Sequence, residues 1–327
     1  VMPANVQTMA YYGETPWHGL GNQVPKGINA EEMIRAAGLD WEVVLRPARG
    51  ARQINRKGDY SRYEIVRVPR PKTKEDEVLF GVVSRRYQPL QNAEAFGFFD
   101  LIVGEGKAFF ETAGALGEGE RIWVMAKMPD AMKIVSGDEC FKYLLLSNTH
   151  SGEGSVIVKF TTVRVVCQNT LMLAMEDGQK AYRVRHSKQM QFRLEELADF
   201  LSTIQKIYLK AEEEFKRMAR IQMTGNRLRD YLDLVYPRTD NQKKKGEKPV
   251  RWNYVREIFE TREDIQLPGV RGTLWGAYNA ITNFEDYKQP KQEEQSDQRL
   301  ERIWFGSGAD TKLWALTKAT ELANTWN

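Results

Sequence analysis

The chain has 327 residues, of which 42% are hydrophobic and 11% aromatic, a composition typical of globular proteins with a sizeable core. Its 48 Lys and Arg residues outnumber its 44 Asp and Glu residues only slightly, and its two cysteines do not indicate a disulfide framework. No apolar run approaches the ~20 residues that span a bilayer and the first residues do not resemble a signal peptide, so we expect a soluble, cytoplasmic protein without a membrane partner.

The first half of the chain is predicted to be rich in β-strands. A short helix over residues 30–37 ends at Gly38. Four strands follow, separated by Gly, Pro and charged turns: residues 41–46, 51–55, 63–69 and 78–84. Residues 91–103 then show helical spacing, with Asn92 as the cap. Two antiparallel hairpins complete this half: residues 108–113 with 121–127, and residues 141–147 with 155–166.

Residues 147–175, SNTHSGEGSVIVKFTTVRVVCQNTLMLAM, are the most informative segment. The Gly-rich stretch at residues 151–154 favours a tight turn, and the β-branched residues after it favour a strand. The apolar run from Leu171 predicts a helix, capped by Asn169 or Thr170. Within this motif we expect structural roles, with Asn169 as a cap and Arg164 bonded to backbone carbonyls or a carboxylate.

The second half is predicted to be helical because apolar residues recur at spacings of three and four. The predicted helices cover residues 194–223, 227–235, 253–260, 272–283, 299–305 and 311–326. Two polar segments, residues 238–249 and 285–298, are predicted to be exposed loops. The predicted fold class is therefore α+β, with antiparallel hairpins and a β-β-β-α core before an α-helical half. We expect a mixed domain over residues 1–180 and a helical region over residues 181–327.

No pattern of catalytic or metal-ligating residues stands out. The three histidines lie far apart and none has the spacing of a zinc site, so we predict no catalytic residue, no metal and no cofactor. The glycine-rich segment 114–120 precedes a strand, which favours a hairpin turn over a phosphate-binding loop. Segment 306–312, GSGADTK, precedes a helix without the spacing of a P-loop, which favours a capping turn at Asp310 or Thr311.

Basic residues concentrate between Arg46 and Arg86. This segment holds twelve Lys and Arg residues against five acidic ones, and this local surplus of seven exceeds the net charge of +4 for the whole chain. Such a field attracts polyphosphate, although a solvated hairpin face is an equally good interpretation. Strand alternation should place Arg62 and Glu64 on one side and Tyr63 and Ile65 on the other, so that charge gathers on one face, with Arg164 near it.

Aromatic residues lie beside basic ones at several places and can stack on the bases of a single strand, although core packing explains them equally well. The candidate nucleic-acid-binding residues are Arg56, Lys57, Arg62, Arg67, Arg85, Arg86, Tyr87 and Arg164.

Three motifs resemble the signatures of a known family. They are GETPWHGLG at residues 13–21, which contains Trp17 and His18, FETAGALGEGERIWVMAKM at residues 110–128, and RVVCQNTL at residues 164–171. They are similar to the N-terminal motif, the central hairpin and the strand-to-helix motif of domain-of-unknown-function family 932, whose members are phage- and plasmid-borne. The resemblance implies structural roles for Trp17, His18 and Asn169, and it implies no reaction.

The order of elements over residues 91–175 also resembles the β-β-β-α core of single-strand annealing recombinases, which hold single-stranded DNA in a basic groove. This resemblance favours a mobile-element protein that binds single-stranded DNA as a homo-oligomer and promotes annealing without nucleotide hydrolysis. Two alternatives stay open. One is an interaction module that acts on a host protein, and the other is an enzyme that acts on a nucleotide or small molecule with His18 or His150 in a cleft.

Overall fold

The computed structural model describes residues 6–13, 20–54, 58–69, 76–103, 106, 108–164, 166, 170–172, 182–187, 204–288 and 299–326. The chain forms two compact units. Unit 1 consists of Val1–Pro129, Tyr143–Lys159 and Ala181–Ile204, and unit 2 of Asp130–Lys142, Phe160–Lys180 and Gln205–Asn327. The sequence predicts one boundary at residue 180, whereas the chain changes unit several times because three long strands contribute residues to both.

Strands dominate the first half of the described residues, which confirms the predicted β-rich half. In chain order they are β1 (Val6–Tyr11), β2 (Asn22–Gln23), β3 (Glu42–Pro47), β4 (Tyr63–Val68), β5 (Val78–Val83), β6 (Phe109–Leu116), β7 (Arg121–Val135), β8 (Asp138–Thr149), β9 (Val156–Arg164), β10 (Thr170–Met172) and β11 (Tyr182–Val184). The larger sheet has the order β10-β9-β8-β7-β6-β1-β2, with β11 also paired to β9. The predicted hairpin of β6 and β7 is antiparallel and is confirmed.

β3, β4 and β5 form a separate three-stranded antiparallel sheet in unit 1, which we call the meander. The predicted strand over residues 51–55 is wrong. Within the described residues of that segment, Gln53 makes only an isolated bridge to Tyr60, because the chain turns back on itself between β3 and β4. The inner face of the meander is apolar around Ile65, whose side chain is fully buried. The Gly-rich turn after β8 packs on this face, since a Cβ on Gly152 would lie 2.4 Å from Val83 Cγ1.

In chain order the helices are α1 (Ala30–Ala36), α2 (Asn92–Val103), α3 (Ile204–Arg220), α4 (Gly225–Val235), α5 (Asp240–Lys245), α6 (Val250–Thr261), α7 (Leu274–Asn283), α8 (Arg299–Trp304) and α9 (Ser307–Thr325). Most of α3 to α9 follows the apolar periodicity, which confirms the predicted helical half. Side-chain caps fix several starts: Asn29 accepts from the Glu32 amide in a capping box before α1, and Thr224 and Thr273 cap α4 and α7.

The predicted helix that begins at Leu171 is wrong at its first residues, because Thr170–Met172 form strand β10, antiparallel to β9. Thr170 pairs with Val163 and Met172 with Thr161, so β10 supplies the hydrogen bonds that the edge of β9 needs. A short apolar run fits a strand or a helix equally well by periodicity, which explains the error. Residues 173–181 lie outside the described part of the chain.

The two predicted loops are also corrected. Residues 240–245 form the short exposed helix α5, because Thr239 and Gln242 make a capping box and Gly246 ends the helix with a positive φ. Residues 284–288 form a turn of π-helix, in which Glu285 and Asp286 are buried within unit 2. Residues 289–298 lie outside the described chain.

A buried ion pair explains why Asp286 lies in the interior and not in an exposed loop. Lys312 on α9 is fully buried, and its Nζ lies 2.6 Å from an Asp286 carboxylate oxygen. Burial lowers the pKa of Lys312, whereas Asp286 opposes that change. α9 begins at Ser307 without a side-chain cap, so the predicted cap at Asp310 or Thr311 is wrong. Lys312 of the GSGADTK segment is thus a buried partner of Asp286.

Candidate nucleic-acid interface

The register of the meander brings several basic segments to one end of the sheet. Pro47, the last residue of β3, pairs with Tyr63, the first residue of β4. Tyr63 in turn pairs with Val83, the last residue of β5. The segments that leave these three positions therefore emerge side by side. They are residues 48–54, 58–62 and 84–86.

Backbone hydrogen bonds hold the first two of these segments together. The Ala48 amide donates to the Arg62 carbonyl at 3.1 Å, and the Ser61 amide donates to the Arg52 carbonyl at 2.8 Å. The Arg52 amide donates to Ser61 Oγ at 3.1 Å. These bonds give Arg52 and Arg62 defined backbone positions at the same end of the meander.

Five exposed arginines occupy this end, which we call the arginine end: Arg49, Arg52, Arg62, Arg85 and Arg86. Arg85 lies 3.9 Å from Asp59, and both side chains are about half exposed. Within the described chain the other four arginines have no carboxylate within salt-bridge distance. By contrast, Arg46 on β3 makes two hydrogen bonds of 2.6 Å to Glu77, which raises the pKa of Arg46 and lowers that of Glu77.

Two tyrosines lie at the same end. The Tyr60 and Tyr63 rings meet edge to face with centroids 6.4 Å apart, and the Tyr60 amide donates to the Tyr63 hydroxyl at 2.9 Å. Both side chains are partly exposed. An aromatic ring next to exposed arginines is a combination that binds single-stranded nucleic acid, because the ring stacks on a base and the arginines contact phosphates.

The structure removes Arg67 from the candidate interface. Arg67 is on β4 two residues after Ile65, so it points to the inner face of the meander and is 7% exposed. Its Nη1 donates to Gln7 Oε1 at 3.1 Å and to the Glu118 carbonyl at 2.9 Å, and its guanidinium lies 5.1 Å from the Trp41 ring centroid. The arginines that are exposed here share one end of the meander, and Arg67 is not among them.

Burial also removes Tyr87 from the candidate interface. Its side chain is 7% exposed and stacks on His186 with ring centroids 4.8 Å apart. Burial raises the pKa of the Tyr87 hydroxyl, which has no hydrogen-bond partner among the described residues. A ring enclosed in this way cannot stack on a base, so Tyr60 is the better candidate.

Replacing Tyr87 tests this correction. We expect Tyr87→Ala to lower the free energy of unfolding by about 3 kcal/mol, because it deletes a buried ring. Tyr87→Phe should change it by less than about 0.5 kcal/mol, since the hydroxyl makes no hydrogen bond within the described chain. Chemical denaturation followed by circular dichroism measures both. A Tyr87→Ala variant of unchanged stability would contradict the burial of this ring.

Arg164 is fully buried in unit 2 and is also removed from the candidate interface. Its Nε donates to Asp138 Oδ1 at 2.7 Å, and its Nη1 donates to Asp264 Oδ2 at 2.8 Å. The other Asp138 oxygen accepts from Trp275 Nε1 at 2.7 Å. The guanidinium thus joins β9 to residues far away in the sequence, which is the structural role expected for it.

A cavity of about 480 Å³ lies beside this network. It is lined by Val166, Arg262, Glu263, Asp264 and Leu267.

His150 belongs to a buried polar network in unit 1. Its Nε2 lies 3.0 Å from Asn92 Oδ1, and its ring packs against those of Trp41 and Phe80, which also contact each other. Burial, with a smaller contribution from His186, lowers the pKa of His150 to about 3. The side chain is fully buried, so it has no access to a substrate. This finding removes His150 from the enzyme alternative.

Three of the remaining candidate arginines are exposed, and the other candidates lie outside the described residues. Arg56, Lys57, Trp17, His18 and Asn169 lie outside the described residues. Arg62, Arg85 and Arg86 are exposed at the arginine end. The sequence analysis did not select Arg49 and Arg52 as nucleic-acid-binding residues. Their position in the same basic segment between Arg46 and Arg86 could have indicated them. Within the described ranges, no three His, Cys, Asp or Glu residues are arranged to hold a metal.

Comparison with known proteins places the chain in a family. Residues 79–304 match the family described as Domain of unknown function (DUF932), and because the match covers more than half of the chain, the chain belongs to this family. The motifs at residues 110–128 and 164–171 lie inside the matched region. No curated protein and no solved structure matches the chain. Among the described helices, none has the length and apolar character to cross a bilayer.

Proposed function

We propose that this member of the DUF932 family binds single-stranded DNA through the arginine end of the meander and promotes strand annealing without nucleotide hydrolysis. The observation that carries the proposal is the set of exposed arginines without carboxylate partners in the described chain. An arginine held by a carboxylate must lose that partner before it meets a phosphate, whereas Arg49, Arg52, Arg62 and Arg86 are available at once.

The contact that the arginine end offers is independent of base sequence. Exposed guanidinium groups bind phosphates, and the partly exposed ring of Tyr60 offers a stacking face to any base. A surface of this kind suits annealing, because both partner strands must be bound whatever their sequence. The proposal includes the phage or plasmid setting that the family resemblance implies, and a location in the host cytoplasm.

Action without nucleotide hydrolysis is supported by the two glycine-rich segments. Residues 117–120 form the turn between β6 and β7, so no helix begins there to direct its dipole at a phosphate. The lysine of the GSGADTK segment, Lys312, is buried against Asp286 and does not reach a phosphate. Neither segment presents a lysine and a helix start together to a nucleotide.

The experiment compares two double variants. Arg62→Ala/Arg86→Ala removes two unpaired charges from the arginine end, and Arg229→Ala/Arg256→Ala removes two exposed charges from helices of unit 2. We expect the first variant to bind a labelled oligothymidine more weakly and to reduce the slope of log affinity against log salt by about 1 to 2, because each lost phosphate contact contributes about 0.7. Fluorescence anisotropy measures both quantities.

The control double variant should keep the affinity and slope of the wild type. Equal losses in the two variants would show that only net charge matters, and no loss in the first would move the interface elsewhere. If the folded wild type does not bind at low salt, the proposal fails and a host protein becomes the favoured partner.

A further inference from the structure

β5 has an unprotected outer edge. It pairs with β4 on one side, and among the described residues no backbone hydrogen bond joins its other edge to a strand. Its sequence, VLFGVV, contains none of the charges or prolines that usually protect an exposed edge. Leu79 and Val82 are 59% and 51% exposed. Such an edge is a template for pairing with another strand.

A β-bulge turns the two exposed side chains to the same face. The register against β4 shifts by one residue, so that Leu79 pairs with Val66 and Val82 with Glu64. Val66 and Glu64 are two residues apart and therefore point to one face of the meander. Leu79 and Val82 share that face although they are three residues apart, which a regular strand does not allow. The extra residue is Phe80.

This arrangement makes β5 complementary to itself. We propose that β5 pairs antiparallel with β5 of a second copy of the chain, about a two-fold axis between Phe80 and Gly81. In that register Leu79 of each copy lies opposite Val82 of the other, so both exposed apolar side chains become covered. A symmetric pair repeats every contact, and cross-strand apolar neighbours on one face stabilise the pairing.

The flanking charges favour a second copy as the occupant. The same axis places Asp76, just before β5, opposite Arg85 of the second copy, and symmetry repeats this pair. Asp76 is exposed, and among the described residues the carboxylate within salt-bridge distance of Arg85 is that of Asp59, 3.9 Å away. One two-fold axis thus pairs the apolar residues with each other and the charged residues with residues of opposite charge. A strand of unrelated sequence would not be expected to match β5 in both respects.

A charge swap tests the pairing and its register. In Asp76→Arg, the introduced arginine of each copy would face Arg85 of the other, and in Arg85→Asp two aspartates would meet. Since each repulsion occurs twice, we expect either change to raise the dimer dissociation constant by about tenfold or more. The double variant Asp76→Arg/Arg85→Asp restores opposite charges and should return to within about threefold of the wild type. Sedimentation equilibrium without nucleic acid measures the constants, so a failure of DNA binding does not affect the result.

Glu31→Arg is the matched control, because it changes an exposed acid on α1 of the same unit and should leave the constant unchanged. A cysteine pair checks the register without altering charge. Leu79→Cys/Val82→Cys should form a disulfide-linked dimer on mild oxidation, and Leu79→Cys alone should not. A monomeric wild type, a charge-swap variant that is not restored, or equal cross-linking of the single and double cysteine variants would overturn the proposal.

Discussion

Replacing Arg164 by Ala is expected to lower the free energy of unfolding of unit 2 by about 3 to 5 kcal/mol, the usual cost of leaving buried charges without their partner. The change leaves Asp138, which is fully buried, and Asp264, whose side chain is 9% exposed, without their shared guanidinium. Arg164→Lys should also be destabilising, because one ammonium group cannot replace the planar fork that reaches both carboxylates. Urea denaturation followed by tryptophan fluorescence measures these losses.

Arg229→Ala is the matched control for Arg164. Arg229 is about half exposed and lies 3.9 Å from Asp230, so its removal should change stability by less than about 0.5 kcal/mol. An Arg164→Ala variant that keeps its stability and loses DNA binding would return Arg164 to the interface and contradict its structural role.

Acid is expected to destabilise unit 1 through His150. Its pKa is about 3 in the folded chain and about 6.5 when unfolded, so below pH 6.5 the unfolded state binds more protons than the folded state. Stability is therefore full above pH 6.5 and falls as the pH drops towards 3. At about 1.36 kcal/mol per pKa unit, the loss is roughly 2 kcal/mol at pH 5 and about 4 kcal/mol at pH 3.

The structural cause is burial, and the second ring nitrogen makes no hydrogen bond within the described chain that would offset it. If Nε2 donates to Asn92, a second proton must go on Nδ1, which has no partner within the described chain. His150→Asn should therefore lose less stability between pH 7 and pH 5 than the wild type, whatever its stability at pH 7. Denaturation curves at both pH values give the difference. Equal losses in the two proteins would show that His150 does not titrate in this way.

Local signals in the sequence predicted much of the fold. The apolar spacing and the turn residues around α4, α7 and the hairpin of β6 and β7 are all short-range. Each element begins within about two residues of the predicted position, although β7 continues to Val135, well beyond the predicted end at residue 127. The helix predicted at Leu171 failed because a three-residue apolar strand and the first turn of a helix have the same composition. What decides between them is the free edge of β9, and a pairing of that kind is not visible in a local pattern.

The candidate site was predicted less completely, since burial of a charged residue depends on distant partners. Arg164 is paired with Asp138, 26 residues before it, and with Asp264, 100 residues after it. Nothing near Arg164 in the sequence indicates either carboxylate. Arg62 and Arg67 belong to the same basic segment, yet the register of β4 buries Arg67, whereas Arg62 lies in the turn before β4 and is exposed. The basic segment could be predicted from the sequence, whereas the exposure of each arginine in it depends on the fold.

The salt dependence of single-stranded DNA binding by the wild-type chain tests the central claim most directly. Affinity for a labelled oligothymidine, measured by fluorescence anisotropy without nucleotide, should fall steeply between ~50 and ~200 mM salt. If Arg49, Arg52, Arg62 and Arg86, the four arginines that carry the proposal, each neutralise one phosphate, the slope of log affinity against log salt should be about −3. A folded sample that does not retain the oligonucleotide at the lowest salt, or binds it with a slope near zero, would contradict the account.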